Sequence, residues 1–188
     1  MIDKLTLNIV PTPIGNLEDI TFRSVKTLKN SDYILCEDTR VSKKLLLKYD
    51  IEVPLVSFHS FNEHKTVNKH INQILSGKKI SLISDAGTPS ISDPGFLIVR
   101  ESIKKGIEIN CLPGPTALVP ALVNSGLSSE RFVFEGFIPS KKGRAKRLKN
   151  FKEETRSIIL YESPKRLIRL MKELQEVIGG DRKISISR

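Results

Sequence analysis

Short apolar runs recur along the first part of the chain. Each is followed by polar, turn-forming residues and then by a stretch with helical spacing. Leu5–Val10, Tyr33–Cys36, Leu55–Phe58, Ile80–Ser84 and Ile107–Leu112 read as strands. Thr21–Lys29, Ser42–Tyr49 and Glu63–Leu75 read as helices, the last stopped by Gly77. Asp93 and Pro94 suit the cap and first position of a further helix, with Lys104 and Lys105 in its last turn and Gly106 beyond it. A more apolar helix is expected from Ala117 to about Val123. Strands that alternate with helices in this way predict an α/β fold with a mostly parallel sheet.

The small, polar stretch Asn124–Ser129 is the natural boundary. It divides an N-terminal α/β domain, 1–127, from a second α/β unit, 128–188. The second unit is expected to hold a strand at Phe132–Phe137, a basic helix from about Gly143, a strand at Ser157–Tyr161 and a long amphipathic helix from Pro164 to Ile178. Lys183–Arg188 has the alternation of a strand just beginning. The unit thus stops in mid-construction, and a longer natural chain is expected. No internal repeats or low-complexity segments occur.

The segment Ser84–Gly95 organises the rest. It joins a strand to a helix, yet it is longer than the usual connection of roughly 2–6 residues. Pro89 stiffens it, and its small residues let a ligand approach the main chain. Four polar clusters sit at strand ends: Pro11–Asp19, Glu37–Arg40, His59–Glu63 and Asp85–Pro94. Pro113–Ala117 makes a fifth. Ligands of open α/β sheets bind beyond the carboxyl ends of the strands, so these clusters are expected to share one pocket rim.

Composition narrows the partners. The net charge of the 188 residues is +10. Residues 1–127 carry 15 Lys and Arg against 13 Asp and Glu, whereas 128–188 carry 16 against 8. That asymmetry points to a polyanion, RNA foremost. Lys141, Lys142, Arg144, Lys146, Arg147 and Lys149 put six basic residues in nine, and Lys165 and Arg166 add to them. Such a surface tracks phosphates without reading sequence. Solubility alone explains many such clusters. No apolar run approaches membrane-spanning length. Cys36 and Cys111 both fall in strand runs, which suits buried thiols in a reducing cytoplasm. His59, His64 and His70 lack metal-ligand spacing, so no metal site is expected. Dinucleotide, P-loop and nucleophile-elbow motifs are all absent.

Glu37-Asp38-Thr39-Arg40 sets two carboxylates beside a guanidinium. One carboxylate can serve as general base, with Arg40 holding it ionised or gripping a phosphate. The same residues also suit a helix start, with Asp38 or Thr39 as the cap and Glu37 facing the dipole. His59 can shuttle a proton, although a histidine at a strand end is more often simply hydrogen-bonded.

Val10–Ile20, Cys36–Arg40, Ser84–Gly95, Leu112–Ala117, Phe134–Pro139 and Tyr161–Pro164 together resemble the tetrapyrrole methylase family, in order and spacing. They are most similar to the branch that 2'-O-methylates a cytidine ribose in the decoding region of 16S rRNA. The resemblance implies two α/β domains with S-adenosylmethionine in the cleft between them, and a homodimer acting on the small ribosomal subunit in the cytoplasm. It maps cofactor binding onto Pro13, onto Asp85, Gly87, Thr88, Pro89, Ser90 and Ile91, and onto Thr116 and Ala117. From sequence alone the helix-start reading of Glu37–Arg40 is favoured. Within the methylation reaction that the resemblance implies, the base that takes the hydroxyl proton is expected at Asp38, with Glu37 as the alternative and Arg40 orienting the carboxylate or a substrate phosphate; His59 and Glu63 rank second. Two other readings stay open: methylation of a tetrapyrrole or other small molecule on the same fold, and a non-catalytic ribosome-assembly factor.

Overall fold

The computed structural model describes residues 5–188. The chain divides into two units, with the break between Thr116 and Ala117. The helix after the break, α5 (Leu118–Ser125), is thereby counted with the second unit rather than the first.

In the first unit five strands form one parallel sheet: β1 (Thr6–Ile9), β2 (Tyr33–Cys36), β3 (Leu55–Ser57), β4 (Ile80–Leu82) and β5 (Glu108–Cys111). Their spatial order is β3-β2-β4-β1-β5. Helices α1 (Phe22–Lys29), α2 (Thr39–Lys48), α3 (Glu63–Leu75) and α4 (Phe96–Lys104) connect them. Parallel strands need such crossovers, and the helices then bury both faces of the sheet. Side chains alternate along each strand, so Ile34 and Cys36 pack with Leu28, Leu45 and Leu46 of α1 and α2. Leu35 packs on the other side with Val67, Ile71 and Ile74 of α3 and Ile98 of α4.

Polar side chains fix the helix starts. Thr21 caps α1, its hydroxyl accepting the Ser24 N–H at 3.0 Å. Asp38 caps α2 in the same way, its carboxylate accepting the Arg40 N–H at 2.8 Å. The start of α4 differs from the sequence expectation. Gly95, not Asp93, is its N-cap, and the helix begins at Phe96. Ser90 and Ser92 take positive φ of 71° and 63°. The chain therefore coils back on itself, and the Ser90 N–H donates to the Pro94 carbonyl at 3.2 Å. Cys111 also departs from expectation: it is exposed, because β5 is an edge strand, whereas Cys36 in the interior is buried.

The second unit is α/β as well. Strands β6 (Phe132–Phe137) and β7 (Ser157–Tyr161) pair in parallel. Between them lie α6 (Arg144–Lys149) and a 3₁₀ turn at Asn150–Glu153; α7 (Leu167–Ile178) comes after β7. Ile138, Leu148, Phe151, Leu170 and Leu174 form its core. Lys183–Arg188 forms no strand.

Candidate functional site

The site is built by the loops that leave the carboxyl ends of neighbouring strands. The loops after β1 and β4 are joined by a two-residue antiparallel bridge. Thr12 N–H donates to the Gly87 carbonyl at 2.9 Å, and Gly87 N–H returns a bond to the Thr12 carbonyl at 3.0 Å. The Thr12 hydroxyl donates to the Ser84 carbonyl at 3.0 Å, and the Ser84 hydroxyl donates to the Gly87 carbonyl at 3.1 Å. The loop after β5 is tied to the same place, because the Thr88 hydroxyl donates to the Pro115 carbonyl at 3.1 Å. Gly87, at φ +88°, lies between Ile14 and the Pro115 carbonyl. At Gly95, φ is +129°, and a Cβ would stand only 2.5 Å from the Ser90 hydroxyl oxygen and 2.7 Å from Leu82. Only glycine fits there.

The family resemblance assigns a cofactor to these loops, and their residues suit an adenosine-bearing one. Ile91 is exposed in the same loop as the small, exposed Ala86, which gives an apolar seat, while Gly87 is buried in the bridge to Thr12. The Ser90 hydroxyl oxygen is buried and has no hydrogen-bond partner, so it offers an unused polar contact within the loop. Pro13 and Pro89 are buried and shape the loops from behind. Thr116 is half-buried. Ala117 is the N-cap of α5 in the second unit.

A second feature lies at the ends of β2, β3 and β4. Glu37, Asp38, Thr39, Arg40, Ser57, His59, Ser60, Phe61 and Asp85 line an open depression of about 420 Å³. Four of the five residues expected to carry catalysis are thus brought together. Glu63, in the first turn of α3, does not line the depression. One Glu63 carboxylate oxygen and the His59 Nδ1 are buried without a hydrogen-bond partner.

The two adjacent acids differ sharply. Asp38 is engaged as the α2 cap and by the Arg40 guanidinium, which donates at 2.6 Å from one terminal nitrogen and at 3.0 Å from Nε. These bonds hold its carboxyl down at about 2. A carboxylate so stabilised is a weak base, which weighs against Asp38, the first-ranked choice for proton abstraction, and in favour of Glu37. Glu37 is pushed upward, first by burial and then by the charges of Asp85 and Asp93, with His59 opposing. Asp93 is raised too, again chiefly by burial. Among the described residues no group of three or more His, Cys, Asp or Glu is placed to hold a metal ion.

The basic surface of the second unit is smaller than the sequence suggested. Lys141, Lys142 and Lys146 are exposed, as is Lys165. Arg144 is turned inward, 4% exposed, and is corrected from nucleic-acid contact to structural ion pair. It donates to Glu173 and, at 3.1 Å, to the Pro139 carbonyl, with Glu162 at 3.9 Å. Arg166 pairs with the buried Glu162 at 2.7 Å, and Arg147 pairs with Glu135. No helix among the described residues is long and apolar enough to cross a membrane.

Parallel sheet, tied loops and a depression at the carboxyl edge define an open α/β fold with its site at the strand ends, and the family profile for Tetrapyrrole (Corrin/Porphyrin) Methylases matches residues 6–188. The chain belongs to this family. More particularly, it is 48% identical over 182 residues to the Ribosomal RNA small subunit methyltransferase I of Thermotoga maritima, covering 97% of this chain and 82% of that protein. The proteins of the same name from Halalkalibacterium halodurans and Pseudomonas aeruginosa are 46% and 44% identical. The chain spans 64% and 65% of their lengths. Among solved structures, a diphthine synthase superposes with a TM-score of 0.66 at 14% identity, covering 91% of this chain and 72% of that one. The uroporphyrin-III-C-methyltransferase of Thermus thermophilus gives 0.64 at 16%, covering 92% and 74%. At such identities these two bear on the fold alone.

Proposed function

We propose that the chain is the catalytic part of an S-adenosylmethionine-dependent methyltransferase that acts on the ribose 2'-hydroxyl of a cytidine in 16S rRNA. The observation that carries this reading is Glu37. It is a carboxylate of raised proton affinity on the wall of an open depression, next to the tied loops of a methylase family. The ribosomal names of relatives at 44–48% identity support RNA as the substrate.

When bound, the cofactor supplies a methyl group carried on a positively charged sulfur. The loops Ser84–Gly95 and Pro11–Gly15, with Thr116, would hold it. The depression holds the ribose so that its hydroxyl oxygen lines up with that methyl, which is the larger part of the catalytic work. Glu37 accepts the hydroxyl proton as the new carbon–oxygen bond forms. Transfer of the methyl to that oxygen would leave the electron pair of the broken carbon–sulfur bond on the cofactor's sulfur. A proton affinity above that of an ordinary glutamate suits this role, since a base is most effective when its pKa lies nearer the working pH. Arg40 offers its exposed guanidinium to a neighbouring phosphate while keeping Asp38 ionised.

The test is transfer of labelled methyl from S-adenosylmethionine to small ribosomal subunits that lack the modification. Product RNA should resist alkaline cleavage at one cytidine. Glu37→Gln should lower the rate by about 10²–10⁴-fold with cofactor binding intact. Label on a base, or a Glu37→Gln variant as fast as the parent, would overturn the assignment.

A further inference from the structure

The exposed aromatic residues of the described chain differ in what surrounds them. Phe96 is covered by the Arg100 guanidinium, 5.6 Å from the ring centre. Phe137 packs its ring against Tyr161 at 5.6 Å. Phe22 stands open at the start of α1 and does not line the depression. Phe61 is 90% exposed and lies on the rim of the depression that holds Glu37. Its ring neighbour is His59, edge-on, with centroids 6.0 Å apart.

The exposure of Phe61 is built into the local chain. Asn62 clamps the turn from both sides. Its side-chain oxygen accepts the His59 N–H at 2.8 Å, and its side-chain amide donates to the Ser57 carbonyl at 3.0 Å. The Asn62 N–H donates to the His59 carbonyl at 2.9 Å. Phe58, at the foot of the turn, is fully buried. The turn is thus anchored below while Phe61 is held outward. Leaving a phenylalanine in water forgoes the free energy of burying its ring, and a flat apolar ligand recovers it.

The depression combines three chemistries: an open aromatic face at Phe61, carboxylate acceptors at Glu37 and Asp85, and the Arg40 guanidinium, whose side chain is 87% exposed. A ribonucleotide answers all three, with a π-face, hydroxyl donors and a phosphate. Unpaired RNA bases are held by aromatic rings in this way. We propose that Phe61 is a positioning residue on which a base of the RNA substrate stacks, holding the nucleotide in the depression beside Glu37. This rests on the RNA reading above.

The chain contains no tryptophan, so Phe61→Trp introduces a single indole at the rim. Its emission should be quenched as a short single-stranded RNA containing cytidine is added, with binding followed independently by anisotropy of labelled RNA. Phe22→Trp serves as the control and should not respond. Phe61→Ala should raise KM for the small subunit roughly tenfold to a hundredfold with little change in kcat, while Phe61→Tyr restores the parent value. Thermal unfolding of Phe61→Ala should match the parent, as expected of an exposed side chain. An indole that stays unquenched while RNA is bound, or an unchanged KM in Phe61→Ala, overturns the proposal and leaves the methyltransferase reading standing. A parent chain that binds S-adenosylmethionine but transfers no methyl to RNA overturns both.

Discussion

The Asp85 carboxylate accepts the main-chain N–H of Asp38 at 3.1 Å, so a side chain from the loop after β4 fixes the N-cap of α2. Glu37 immediately precedes that residue, and its position is set with it. Asp85 also raises the proton affinity of Glu37 by its charge. One carboxylate thus bears on both the placement and the proton affinity of Glu37.

Asp85→Asn keeps the acceptor oxygen and removes the charge. The Glu37 pKa should then fall, and the acid limb of the kcat/KM profile should move to lower pH. Asp85→Ala removes the acceptor as well and should cost about tenfold or more in rate, since small misplacement of a reacting group is expensive. A pH profile unmoved in Asp85→Asn would show that the two carboxylates do not interact.

Arg144 and its exposed neighbours should separate cleanly. Breaking a buried ion pair from one side leaves its partners uncompensated, so Arg144→Ala should destabilise the second unit by about 3 kcal/mol in urea unfolding. Lys142→Ala and Lys146→Ala should leave stability unchanged. Each should instead reduce the slope of log affinity against log salt for RNA by about one. A tetrapyrrole or other small substrate would show no such slope.

His70 is buried in the first unit, bonded through Nδ1 to the Tyr33 hydroxyl at 3.0 Å and edge-on to Phe58. Burial holds its pKa below the ordinary 6.5. The unfolded chain therefore takes up a proton at that histidine before the folded chain does. Stability should be fully present above pH 6.5 and decline as pH falls through that value. His70→Phe should flatten this part of the urea midpoint curve. Burial pushes the Tyr33 hydroxyl up to about 12, so it stays protonated throughout. Tyr33→Phe strips the imidazole of its partner and should cost about 1–2 kcal/mol.

Gly95→Ala sets a new Cβ against the Ser90 hydroxyl and Leu82 at a positive φ. It should cost about 2 kcal/mol or more and weaken S-adenosylmethionine binding measured by calorimetry. Gly77→Ala, also at positive φ but with open space around it, should cost only about 1 kcal/mol and leave cofactor affinity alone.

The elements were legible because burial writes itself into local composition: the runs at 33–36 and 80–84 can be little else than interior strands. The loop after each strand was legible too, as a cluster of Pro, Gly and acids. Three features were not. The start of α4 was misplaced because two serines adopt left-handed geometry, which no serine advertises. Arg144 looked like its neighbours because its partner Glu173 lies 29 residues away. The division of labour between Glu37 and Asp38 depends on a guanidinium that reaches back two residues to one acid only, and on burial that falls on the other. Phe61 was submerged in its polar cluster, although an aromatic residue in a strand-end turn is itself a signal available in the sequence.

The position of β1 has a consequence for how the protein is made. Strand β1 lies between β4 and β5, both of which are synthesised well after it. Until residue 111 has emerged, β1 lacks one of its two neighbours, and the Ile9 carbonyl waits for the Leu112 N–H that it finally accepts at 3.0 Å. The nascent chain therefore carries an unsealed sheet until β5 is made, and incomplete sheets of this kind are what chaperones protect. Completion of the centre is one late event, and a ribosome that stalls before β5 releases a product that cannot close.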